Sequence, residues 1–80
     1  MKLLVRNLPR TTTQDELKAL FEQYGAVVSC NLVMDEETGR SKGFGFVEMP
    51  EMDDAVKAIQ ELDRSKIEKE KIRVKEVTYN

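Results

Sequence analysis

Lys42-Gly43-Phe44-Gly45-Phe46-Val47-Glu48-Met49 is the stretch from which the rest of the chain can be read. As a strand it alternates, because successive side chains point to opposite faces. Lys42, Phe44, Phe46 and Glu48 share one face, and Gly43, Gly45, Val47 and Met49 share the other. The second face has a hydrophobic end and two glycines, which suits a strand lying close against a helix. The first face sets two large aromatics between charges. A competing assignment puts both phenylalanines in the core and lets the glycines mark a bulge. It would bury Lys42 and Glu48 without partners, a costly step, and would expose Val47 and Met49. The aromatic face is therefore assigned to solvent. Two rings beside a lysine there form a platform for base stacking.

The segments on either side build a sheet around this strand. Leu3-Leu4-Val5-Arg6 is a short strand with Leu3 and Val5 inward, and Leu4 and Arg6 outward. Asn7-Leu8-Pro9 ends it, since proline lacks an amide hydrogen. A helix follows, with Thr13 as N-cap and Glu16 completing a capping box. Leu17, Leu20, Phe21 and Tyr24 form its apolar stripe, and Gly25 stops it. Ala26 to Met34 is the next strand. Val27, Cys30 and Leu32 face inward, which requires an irregularity near Val28-Ser29, and Asn31 and Val33 join the outer face. Asp35 to Ser41 is a short loop with a Thr38-Gly39 turn signal.

Pro50 breaks the signature strand. Glu51-Met52-Asp53-Asp54 opens a second helix whose stripe is Ala55, Ala58, Ile59 and Leu62, with Val56 at its edge. The two alanines would let it approach the sheet opposite glycines 43 and 45. Asp63 to Glu70 is expected to be a polar, ordered but mobile turn. Lys71 to Val77 is the last strand, with Ile72 and Val74 inward and Lys71, Arg73 and Lys75 outward. Tyr79 either folds over the sheet or lies in a disordered tail. The order strand, helix, strand, strand, helix, strand is an α+β, ferredoxin-like βαββαβ arrangement. Right-handed crossovers put both helices on one face of a four-stranded antiparallel sheet, with the first and third strands central.

Composition bounds the function. Eighty residues is one domain, 1–80, with a small core. No apolar run is long enough to span a membrane, and a cytoplasmic protein is expected. Cys30 is the only cysteine and there is no histidine. Cys/His zinc sites and Ser-His or Cys-His nucleophile pairs are excluded. Neither a metal nor a cofactor is expected, nor is catalysis. The net charge of −2 is unfavourable for binding phosphates.

The octamer resembles the signature of the RNA recognition motif family, K/R-G-F/Y-G/A-F-V-x-F/Y, with Met49 in place of the last aromatic. Leu3 to Leu8 resembles the family's second signature, with Leu4 where a stacking aromatic is usual. The resemblance runs from Lys2 to about Val77. It is closest to stand-alone single-domain members, although one domain of a longer chain fits equally.

The family implies that single-stranded RNA lies on the open face. Phe44 would stack under a base, Phe46 would pack against ribose, and Lys42 would meet a phosphate. Asn31, Lys71, Arg73 and Lys75 would read base edges or phosphates. Arg6 shares that face, and Leu4 would offer apolar contact alone. The Arg40 end of the β-loop either touches the RNA backbone or is merely solvated. Micromolar affinity with shallow salt dependence is expected. The alternative is a domain of the same fold that binds a protein partner. An acylphosphatase-like enzyme is disfavoured, because Pro9-Arg10-Thr11-Thr12 has no glycine cradle.

Overall fold

The computed structural model describes residues 1–77, so Tyr79 lies outside the described residues. The chain forms β1 (Lys2–Arg6), α1 (Gln14–Glu22), β2 (Ser29–Met34), β3 (Ser41–Glu48), α2 (Met52–Leu62), β4 (Lys66–Ile67), β5 (Glu70–Lys71) and β6 (Arg73–Glu76). The main sheet has four antiparallel strands in the order β2-β3-β1-β6. The two helices complete the βαββαβ, ferredoxin-like fold.

Strand parity sorts the side chains as the alternation predicts. Leu3, Val5, Val47, Met49, Ile72 and Val74 are buried with Leu17 and Phe21 of α1 and Ala55, Ala58 and Leu62 of α2. Burying one such side chain contributes roughly 1.5–3 kcal/mol for the larger residues. Helix α1 starts where its capping box dictates. Glu16 N–H donates to Thr13 Oγ1 at 3.1 Å, and Thr13 N–H donates to Glu16 Oε1 at 2.9 Å.

Several local expectations need correction. Strand β2 begins at Ser29, not Ala26. Ser29 pairs with Glu48, so continuing that register would set Val27 opposite Pro50, which has no amide hydrogen to donate. The irregularity lies elsewhere. Leu32 pairs with Gly45 and Met34 with Ser41, so residues 42–44 of β3 bulge opposite Val33. A bulge and an outward-facing aromatic pair therefore coexist on β3.

The glycines of β3 do not make room for α2. A Cβ at Gly45 would lie 2.6 Å from Asn31 O and 3.2 Å from Leu17 Cδ2, which belongs to α1. Gly43 has φ +83° and faces Leu8 O and the Arg10 guanidinium.

The polar segment after α2 is not a plain turn. Strands β4 and β5 pair as a hairpin, Lys66 with Lys71 and Ile67 with Glu70. Lys71 thus belongs to this hairpin, and the last sheet strand starts at Arg73. Cys30 is half-buried, and that burial pushes its thiol pKa up.

Candidate nucleic-acid interface

The outer face of the sheet is built by register. Asn31 pairs with Phe46, Phe46 with Leu4, and Leu4 with Lys75. These four residues form one row across all four strands. Arg6 pairs with Arg73 in the row beside it, on the side where Phe44 stands. Phe44 and Phe46 are half-buried, with ring centroids 6.5 Å apart and planes at 85°. Edge-to-face contact is a favoured arrangement of aromatic quadrupoles. It also aims the two ring faces in different directions, so that one flat base can stack on only one of them.

A groove of about 620 Å³ runs along this face, lined by Leu4, Arg6, Lys42, Phe44 and Phe46 with the loop after β1. That loop is fixed by Asn7, which takes φ 61° and donates from Nδ2 to Lys71 O at 2.8 Å. Leu8 N–H then donates to Gly43 O at 2.8 Å and closes the end of the groove.

The charge of the face differs from that of the chain. By parity it carries Lys2, Arg6, Lys42, Arg73 and Lys75 against Glu48, and Glu70 also lines its groove. Six of the fifteen acidic residues lie on the helices, Asp15, Glu16 and Glu22 in α1 and Asp53, Asp54 and Glu61 in α2, and Asp35, Glu36 and Glu37 lie in the β2–β3 loop. A net charge of −2 therefore hides a positive sheet face.

The cations are not equivalent. Arg73 Nε is 3.3 Å from Asp63 Oδ1, which also accepts from Val74 N–H at 2.9 Å. The Val74 hydrogen bond, followed by Arg73 and Arg64, holds the Asp63 carboxyl below the usual carboxylate range. Arg73 is thus partly neutralised, whereas Lys42 and Lys75 stand exposed. Lys71 stands exposed on the hairpin, away from the row of Lys75. Arg40 is exposed in the β2–β3 loop. There Asp35 Oδ1 accepts from the N–H groups of Glu37 and Thr38, and these bonds lower its pKa.

Two residues of the site escape the sequence reading. Lys2 Nζ lies 4.9 Å from the centroid of the Phe46 ring, a cation–π contact. Extending the β1 alternation back by one residue places it on the outer face. Arg10 lines the end of the groove, and nothing in its local sequence marks it.

The family model described as RNA recognition motif matches residues 3–73. A 45-residue segment is 56% identical to UBP1-associated proteins 1B of Arabidopsis thaliana, covering 56% of this chain and 12% of that protein. The chain is similar to the crystal structure of RNA Binding Protein PG1, at 44% identity and TM-score 0.93, covering 100% of this chain and 96% of that one. It is also similar to the Sex-lethal protein in its RNA complex. That match has 30% identity and TM-score 0.92, covering 99% of this chain and 47% of the other.

Proposed function

Since the chain belongs to the RNA recognition motif family, we propose that it binds single-stranded RNA across the outer face of its sheet. The observation that carries this is the cross-sheet row Asn31-Phe46-Leu4-Lys75, flanked by Phe44 and by positive charge. Phe44 stacks under a base. Phe46, with Lys2 over its ring, packs against a sugar. Lys42 and Lys75 take phosphates, Asn31 offers hydrogen bonds at the β2 end of the row, and Arg6 does so from the row beside it. Lys71, Arg73 and Arg40 contribute at the rim. The domain binds and does not catalyse.

Leu4 fills the site of a third stacking ring with an aliphatic side chain. An aromatic–base stack is worth about 1–3 kcal/mol, so its absence keeps affinity in the micromolar range. The test is an amide NMR titration with a degenerate single-stranded RNA pool. Shifts centred on β1 and β3 are expected. Shifts confined to the helices, or none, would reject the proposal.

A protein partner on the helix side is a second reading. It is favoured by the exposed apolar residues Met52 and Val56, one turn apart on α2 among acidic neighbours. Shifts confined to α1 and α2 on adding a basic peptide would support it.

A further inference from the structure

A second groove, of about 520 Å³, lies between the connection from β1 to α1 and the β2–β3 loop. Thr11, Thr12 and Thr13 line one side, Gly39 and Arg40 the other. Met34, 47% exposed, adds an apolar surface. Arg10 lines both this groove and the aromatic one, so its guanidinium stands at their junction.

The Arg10 side chain is held at that junction. Nη1 donates to Ser41 O at 3.1 Å. The guanidinium lies across the notch left by Gly43, where a Cβ would come within 3.3 Å of its Nε and Cζ. Gly43 itself needs its positive φ, which few side chains tolerate. The β3 bulge therefore makes the seat that Arg10 occupies. A guanidinium has five N–H donors in a planar fork matched to phosphate oxygens. One bond to Ser41 O fixes its plane and leaves the fork able to take a second acceptor.

We propose that Arg10 is a phosphate-binding residue that turns single-stranded RNA off the Phe44 platform and into this second groove. This rests on the assignment of the sheet face as the RNA site. Arg40 supplies a second cation on the far wall, and Met34 with the threonine methyls supplies an apolar surface for a further nucleoside. The phosphate sits at Arg10 and not at the start of α1. There Thr13 already caps Glu16 N–H, and Asp15 and Glu16 repel an anion.

The test compares degenerate RNA pools of trinucleotides and hexanucleotides in fluorescence-anisotropy titrations. Wild type is expected to bind the longer pool about tenfold more tightly per site, as a charge-assisted phosphate contact would give. Arg10→Gln is expected to lose that length advantage, and its salt slope on the longer pool is expected to fall by about 0.7. The Met34 methyl NMR signal of wild type is expected to move with the longer pool and not with the shorter one. This readout does not depend on the fold of any variant. An Arg10→Gln protein that keeps the length advantage, or a Met34 signal unmoved by the longer pool, overturns the proposal while the sheet-face site stands. Wild type that binds neither pool overturns both.

Discussion

The rings of Phe44 and Phe46 meet edge to face, with centroids 6.5 Å apart and planes at 85°. Two perpendicular rings on one strand cannot do the same job for the same base. The Phe46 ring already carries the Lys2 ammonium 4.9 Å from its centroid. Under the proposed function Phe44 takes the base stack and Phe46 the sugar contact. Phe44→Leu is expected to weaken RNA binding more than Phe46→Leu, by up to the 1–3 kcal/mol of a stack. Anisotropy titrations of the two variants at equal salt check the order. Equal losses, or the reverse order, would reject this division of roles.

Leu4 sits between Phe46 and Lys75 in the cross-sheet row. Leu4→Tyr places a ring where the family usually has one. Affinity for RNA is expected to rise by about 1–3 kcal/mol, roughly five- to 150-fold. Stability should change little, because the position is half-exposed and outside the core. Unchanged affinity in a folded variant would mean that RNA does not pass over Leu4.

Gly45 faces backbone. A Cβ there would stand 2.6 Å from Asn31 O and 3.1 Å from Leu32 Cα. Backbone in a paired strand cannot yield as a side-chain tip does. Gly45→Ala is expected to destabilise the fold by about 1–3 kcal/mol, the usual cost of overpacking. Urea denaturation measures it, and a loss under a few tenths would show that β2 shifts freely.

Asp63 joins β6 to the end of α2 by accepting from Val74 N–H and Arg73 Nε. Its carboxyl pKa is depressed by those contacts. A carboxyl lowered in the folded state stabilises above its unfolded value, near 3.9. That contribution is lost as pH falls through the folded value. Stability should therefore drop below about pH 4. Asp63→Asn keeps an acceptor oxygen but removes the charge. Its loss of stability between neutral and acid pH should be smaller than that of wild type. Asp35, also depressed, leaves a residual slope in both proteins. Identical acid limbs would remove Asp63 from the account.

Much of this was legible in the chain. The alternation from Lys42 to Met49 sets which face of β3 is buried, and the Thr13–Glu16 box sets where α1 begins, because both depend on neighbours in sequence. What was not legible depends on distant partners. The glycines of β3 look as if they answer the alanines of α2. Gly45 answers Leu17 and the β2 backbone, and Gly43 answers Arg10, which lies far off in sequence. The β4–β5 hairpin gives no sequence signal because its positive-φ turn residue, Glu68, is not a glycine, and neither is Arg64 just before β4. Arg10 gives no local signal, since its position depends on a notch in another strand. The net charge does not reveal the positive sheet face, because a sum over residues carries no information about which face holds them.

RNA is proposed to lie on the aromatic sheet face. The most direct measurement is an anisotropy titration of wild type and the Phe44→Ala/Phe46→Ala double variant with degenerate single-stranded RNA at low salt. Circular dichroism confirms that both are folded. Saturable binding by wild type is expected, and its loss in the double variant, whose core is untouched. Binding retained by the folded double variant, or absent from folded wild type, would contradict it.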